Sequence, residues 1–314
     1  MPLAAVQGVL CAGNISHDIL LRPVDQFRWG TSTWVEEFTE DMGGNGSNTS
    51  YALALLGTPV RLLGLVGSDA RGDALLEKLS GAGVDTGFVG RSRNPTTTTV
   101  CVANSQGDRL FLQRVGSSLE AFAESSDFST ALCRGMSHYH QANLYSLPNL
   151  RRNSGEQMRR AKTRGLTTSI DTGWAAAGLW MEVLEPALPF CDVLFVNEDE
   201  ARMLTGETEP DRIARVLRDR GAQEIVLKLG ARGCVVFAAM EEFASPGLPV
   251  PVIDTTGAGD AFAAGFLASL HRGLSYSEAA RMANAVGALS VTALGAGRAL
   301  RSWDETVKWA NALP

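Results

Sequence analysis

Short apolar-rich runs alternate with amphipathic stretches along most of the chain. Gly8–Gly13, Val60–Val66, Leu166–Asp171, Val193–Val196, Ile225–Leu229 and Cys234–Phe237 read as buried strands. Between them, Thr49–Leu56, Asp73–Ser80, Asn153–Arg164, Glu198–Leu204 and Asp211–Arg220 read as helices. Near-continuous apolar strands separated by helices predict an α/β fold on a mainly parallel sheet covered on both faces. The punctuation agrees: Gly57, Gly165, Gly221 and Gly273 each follow a helical run, and Ser275-Tyr-Ser-Glu278 has capping-box spacing.

Two segments depart from this rhythm. Phe27–Phe38 alternates, with Phe27, Trp29, Thr31, Thr33 and Val35 on one face. Thr96–Ala103, the glycine-bearing turn Asn104–Asp108 and Arg109–Arg114 together read as a β-hairpin. These pieces predict a small separate sheet over one edge of the main unit; the alternative is that they extend the main sheet.

Composition narrows the partners. A chain of 314 residues, 45% hydrophobic and 20% charged, can bury a large core. A net charge of −6 argues against a nucleic-acid backbone as partner. No apolar run reaches the roughly 18 residues that a membrane span requires. Cys11, Cys101, Cys133, Cys191 and Cys234 are scattered without metal-ligand spacing, and read as small core residues of a cytoplasmic protein. The opening Met1–Val6 has no basic or long apolar character, so no signal peptide is expected.

The strongest chemical signal is Asp254-Thr255-Thr256-Gly257-Ala258-Gly259-Asp260-Ala261-Phe262. A glycine-rich turn entering an apolar helix aims unpaired N–H groups and the positive dipole end at one point. Asp260 stands there, able to cap the helix or to accept a proton. A helix N-terminus favours the ionised carboxylate, so Asp260 is expected to be charged at neutral pH and a weak base. A dinucleotide fingerprint would need a third glycine where Phe262 stands, and no Walker loop occurs. An NAD-dependent oxidoreductase is disfavoured on that ground. A second cluster, Gly43-Gly44-Asn45-Gly46-Ser47-Asn48, also opens a helix, with amides suited to neutral hydroxyls.

With these motifs in order, and with Leu65–Gly72, Gly83-Val84-Asp85-Thr86, Asn197-Glu198-Asp199-Glu200 and Lys228–Gly233, the chain resembles the ribokinase-like (PfkB) carbohydrate kinases over essentially its whole length. The resemblance implies a three-layer ribokinase-like fold for residues 1–314 as a single unit. A small β-sheet lid, its strands inserted at about 14–42 and 95–118, often also serves as a dimer clasp. It implies an ATP-dependent sugar kinase with Asp260 as base and Gly257, Ala258 and Gly259 as the anion hole. Asp18, Gly44, Asn45, Asn48 and Asn143 are implied on the sugar side, and Asn197, Lys228, Gly230, Gly233 and Asn284 on the nucleotide side. Glu200 is implied to organise magnesium through water, and Asp254 and Thr256 to belong to a monovalent-cation site, with potassium the candidate ion.

Departures bear on the substrate. Asn45 replaces the lysine usual in ribokinases proper, Ser68 replaces a frequent aspartate, and Asp171-Thr172-Gly173-Trp174 replaces the more frequent Asp-x-Asn. Trp29 and Trp34 are expected either to shape a pocket or to fill a lid–lid dimer core. A nucleoside kinase of the same fold and a non-catalytic sugar- or nucleotide-binding regulator are the alternatives.

Overall fold

The computed structural model describes residues 7–106, 108–239 and 241–313. Met1–Val6 and the hairpin-turn glycine, Gly107, lie outside the described residues. The strands are β1 (Val9–Gly13), β2 (Ser16–Arg22), β3 (Glu37–Gly43), β4 (Val60–Gly67), β5 (Val89–Ser92), β6 (Thr97–Ala103) and β7 (Arg109–Arg114). They continue with β8 (His138–Ala142), β9 (Thr167–Asp171), β10 (Val193–Asn197), β11 (Glu224–Lys228), β12 (Cys234–Phe237) and β13 (Glu242–Ser245). The helices are α1 (Asn45–Leu55), α2 (Ala70–Gly81), α3 (Thr130–Cys133), α4 (Pro148–Thr163) and α5 (Met181–Leu184). After them come α6 (Glu198–Thr205), α7 (Pro210–Asp219), α8 (Ala258–His271), α9 (Tyr276–Ser290) and α10 (Trp303–Asn311).

Nine strands pair in the order β13-β12-β11-β10-β9-β8-β1-β4-β5. Pairing is parallel from β11 to β5, and β12 and β13 run antiparallel at one edge. Period-two alternation splits each central strand between two cores. Val9, Cys11, Val193 and Phe195 join one core with residues of α1, α8 and α9. Leu10, Ala12, Leu194 and Val196 join the other with residues of α4, α6 and α7. Apolar strands clamped on both faces leave their C-terminal ends as the place where polar side chains can emerge.

Helix α8 is buried from Asp260 to Leu270 and apolar nearly all round, as a core helix must be. Gly265 lets it approach α9: a Cβ there would lie 2.9 Å from Val286 Cγ2 and 3.0 Å from Ala283 Cα. Phe266 stacks on Tyr276 at 5.9 Å and meets Phe195 edge-on at 5.4 Å, which fixes the helix lengthwise.

The four-stranded second sheet, in the order β3-β2-β6-β7, is separate from the first, as expected for the lid. The hairpin is present, with Ala103 opposite Arg109 and Thr98 opposite Arg114. Of the expected Phe27–Phe38 strand, however, only Glu37 and Phe38 are in a strand, at the start of β3. Pairing stops at Arg22 and resumes at Glu37, and Gly30 turns with φ 79° between them. Alternation in that segment has no surface to pack on: Trp29 is 102% and Trp34 92% exposed. Strand β2, which the apolar pattern does not announce, takes its place in the lid. Helix α4 starts at Pro148, earlier than the expected Asn153, because proline suits the first helical position.

Candidate active site

The C-terminal ends of parallel strands deliver a row of polar side chains. Asn14 follows β1, Asn143 follows β8, and Asp171, Asn197 and Lys228 end β9, β10 and β11. The N-termini of α1 and α8 face this row.

Helix α8 begins after Gly257, which takes the left-handed conformation (φ 73°) and supplies no side-chain cap. The Ala258 N–H donates to Thr255 O at 3.2 Å, and the N–H groups of Gly259 and Asp260 remain available to an anion. Asp260 lies in that turn and is 4% exposed. Its Oδ1 accepts from Asn45 Nδ2 at 2.8 Å and its Oδ2 from Asn48 Nδ2 at 2.9 Å. Asn143 Nδ2 donates to Asn45 Oδ1 at 2.9 Å, and the Asn45 backbone N–H donates to Asn14 Oδ1 at 3.1 Å. Asn48 Oδ1 is buried and has no hydrogen-bond partner, an acceptor open to a ligand's hydroxyl. Gly44 caps α1 at φ 90°, with its backbone against Asn14 O and Ser16 N.

The charge state of Asp260 departs from the sequence expectation. Burial pushes its pKa up to about 7, with the Asp171 charge adding to the rise, while the two amides and Lys228 oppose it. A helix terminus favours the charged form, but desolvation outweighs it here.

On the other side of the turn, Lys228 Nζ lies 2.8 Å from both carboxylate oxygens of Asp171. A Cβ at Gly259 would stand 3.3 Å from that Nζ, so the ammonium sits beside the anion-facing turn. Burial alone would lower the Lys228 pKa, but the carboxylates of Asp171, Glu200 and Asp260 hold it above the usual range. Asn197 and Glu200 lock each other in a capping box: Asn197 Oδ1 accepts from Glu200 N at 2.8 Å and Glu200 Oε2 from Asn197 N at 3.1 Å. Thr172 Oγ1 also donates to Glu200 Oε2, at 2.7 Å.

Asn197, Lys228, Gly230, Gly233 and Asn284 all line one cleft of about 590 Å³, which reaches Ala258 and Gly259. Two of them also build its wall. Asn284 Nδ2 donates to Ser245 O, Ser245 Oγ and Pro246 O at 3.0–3.1 Å. A Cβ at Gly233 would collide with Ser245 O. Sequence reasoning missed the Leu248–Val252 side of this cleft and the roles of Asn14 and Asp171. The run Pro246-Gly-Leu-Pro-Val-Pro-Val, apolar and unable to form helix, was the available signal for the first.

Asp18 lies within the lid strand β2 and belongs to no loop after the first strand. Its Oδ1 accepts from Ser16 Oγ at 2.7 Å, and its carboxylate covers Gly43, where no Cβ could fit. Burial, reinforced by the charge of Asp41, raises its pKa to about 6.

The metal expectations divide. Among the described residues no cluster of three or more His, Cys, Asp or Glu is arranged to hold an ion. Magnesium would therefore draw its ligands mainly from phosphates and water, which fits a water-mediated role for Glu200. The monovalent-cation expectation for Asp254 and Thr256 does not fit. Arg109 of β7 already binds both: Nη2 lies 2.8 Å from Asp254 Oδ1, and Nη1 donates to Thr256 Oγ1 at 2.8 Å.

Known proteins are similar to this chain in sequence and in fold. The family model described as pfkB family carbohydrate kinase matches residues 8–303. A mouse ribokinase (Mus musculus) is 29% identical over 300 residues, 91% of this chain and 90% of the relative. A fructokinase of Escherichia coli is 32% identical over 271 residues, 82% of this chain and 88% of the relative. The solved structure of Arabidopsis thaliana ribokinase complexed with ribose and ATP superposes with a TM-score of 0.85 at 26% identity, covering 98% of this chain and 99% of that one.

Proposed function

The chain belongs to the pfkB family of carbohydrate kinases, and on that premise we propose that it transfers the γ-phosphoryl group of ATP to a hydroxyl of a small sugar. Asp260 acts as the base. The observation that carries this reading is the placement of one buried carboxylate between two surroundings. Amides lie on one side of it, and on the other an uncapped helix N-terminus opens into a 590 Å³ cleft.

The acceptor hydroxyl sits against Asp260, within reach of Asn48 Oδ1, while Asn45 and Asn48 hold the carboxylate in one orientation. Asn143 keeps Asn45 turned that way, and Asp18 offers a further acceptor from the lid. A loose phosphoryl-transfer transition state spreads charge over its peripheral oxygens and needs positioned positive groups. The first-turn N–H groups of α8 and the Lys228 ammonium supply them. As the new O–P bond forms and the bond from the γ-phosphorus to the β–γ bridging oxygen breaks to release ADP, the hydroxyl proton passes to Asp260, whose pKa near 7 suits acceptance at neutral pH. Magnesium, when bound with the nucleotide, neutralises phosphate charge, and Glu200 with Asn197 would hold its water shell.

A second copy of the chain covers the lid in this reading. Leu110 and Leu112 of β7 and Phe38 of β3 lie on one face of the lid sheet and are 46–62% exposed, a concentration of apolar side chains that monomers seldom leave open. The free thiols at all five cysteines support a reducing, cytoplasmic setting. The test is ADP formation with ketoses, aldoses, sugar acids and nucleosides as acceptors. Sugar-stimulated turnover is expected. Stimulation by nucleosides alone would move the acceptor class, and binding without turnover would reduce the protein to a regulator.

A further inference from the structure

Arg109 brings a fixed positive charge from the lid to the turn that precedes the anion-facing helix. It is the first residue of β7 and sits opposite Ala103 of β6. Asp254, its main partner, is 2% exposed. The rest of that carboxylate is occupied as well: Oδ1 also accepts from Thr256 N, and Oδ2 from Gly295 N, both at 2.8 Å. A buried carboxylate needs a cation or several donors to remain charged. The planar guanidinium fork satisfies two oxygens at once, those of Asp254 and Thr256. Thr256 directly precedes Gly257, the N-cap of α8. The neighbouring lid arginine, Arg22, is paired with Glu37 at 2.7 Å and leaves this task to Arg109. A cavity of about 180 Å³ adjoins the pair, lined by Arg22, Cys101, Arg109, Ile253, Asp254 and Leu294.

We propose that Arg109 is a built-in cation: it takes the place of a free monovalent ion, clamps the 254–257 turn, and ties the position of the lid to the geometry of the anion-facing helix terminus. Arg109 is a positioning residue that does not touch substrate. Its kinetic consequences rest on the kinase reading above; its structural consequences do not. Two oxygens that a potassium ion would need are already bonded to the guanidinium, so added potassium has nothing to fill in the intact protein.

The experiment compares the full-length chain with Arg109→Ala and Arg109→Lys in potassium chloride and in tetramethylammonium chloride at equal ionic strength. Turnover and thermal unfolding are read in parallel. The intact protein should show the same turnover in both salts, within about 1.5-fold. Arg109→Ala should lose at least ~10-fold in kcat with the sugar KM changed less than ~3-fold, the pattern of a lost transition-state arrangement. Potassium or ethylguanidinium should restore part of that loss, and Arg109→Lys should retain most activity. Binding of potassium to the vacated oxygens should raise the melting temperature of Arg109→Ala by roughly 2 °C and leave the intact protein unmoved. Equal potassium effects on both proteins, or an alanine variant with unchanged kcat and no cation rescue, would overturn the proposal. Should the intact chain phosphorylate none of the acceptors, the kinase reading fails separately, and the melting comparison still decides whether the clamp exists.

Discussion

The substitution Asp260→Asn removes one buried charge while keeping the shape of the side chain, so activity and stability should move in opposite directions. The structure sets the size of the second effect. Asp260 has an ordinary pKa of 3.8 and is raised to about 7 in the fold. The folded state therefore holds the proton more tightly than the unfolded chain. The corresponding stability is fully present below 3.8 and is lost as pH rises through about 7. At pH 8 the wild type carries the whole cost, about 4 kcal/mol at most for a rise of that size. The amide variant avoids it, and Asn48 can rotate its unpartnered Oδ1 toward the new side chain. A net gain of roughly 2 kcal/mol corresponds to about 3 °C in melting temperature for a chain of this length. That gain should shrink toward zero near pH 4. Turnover should fall by at least ~10², the ordinary worth of a positioned base, with ATP affinity preserved. Thermal scans at pH 8 and pH 4, a coupled ADP assay and calorimetric titration of ATP measure the three quantities. Near-normal turnover would remove Asp260 from the chemistry, and a variant less stable than wild type at pH 8 would refute the desolvation argument.

Three further expectations follow from the same geometry. The acid limb of kcat/KM should fall about tenfold per pH unit below roughly pH 7, as a base of that pKa requires; a profile flat to pH 5 contradicts it. Lys228→Met should lower kcat/KM for ATP by at least ~10² and destabilise the fold by roughly 3 kcal/mol, because Asp171 and Glu200 are left buried without their cation; steady-state kinetics and denaturant titration check both. Leu112→Asp, on the same lid face as Leu110 and Phe38, should halve the mass measured by light scattering, and a wild type that is already monomeric would rule out the lid interface.

What was legible in the chain was mostly local. The apolar runs located β1, β4 and β10 to β12, and Leu166–Asp171 located β9 although its strand reads Thr-Thr-Ser-Ile-Asp; β8, His-Tyr-His-Gln-Ala, is buried throughout yet polar, and the apolar pattern did not announce it. The glycine turns before α1 and α8 announced helix termini aimed at a ligand. The Asn45–Asp260 and Asn48–Asp260 bonds join residues more than two hundred positions apart, yet both ends stood out because each lies in a distinctive turn. Other features depend on neighbours that no local pattern encodes. β2, Ser-His-Asp-Ile-Leu-Leu-Arg, is a strand because β3 and β6 flank it, while the better alternation at Phe27–Val35 has no partner and stays irregular. The raised pKa of Asp260 comes from the packing around α8, which the motif does not contain. Arg109 looks like an ordinary hairpin-end charge until the lid is folded over Asp254, and only then do its bonds to Asp254 and Thr256 form. Asp171 ends an ordinary strand, and its importance comes from Lys228 two strands away.

The central claim concerns where the transferring group and the acceptor meet. A crystal structure of the protein with ADP, magnesium, aluminium fluoride and a sugar that supports turnover tests it most directly. The account predicts the fluoride group against the N–H groups of Gly259 and Asp260, with the acceptor hydroxyl within about 3.2 Å of an Asp260 oxygen. A fluoride group bound elsewhere, or a sugar whose nearest hydroxyl is turned away from Asp260, would contradict it.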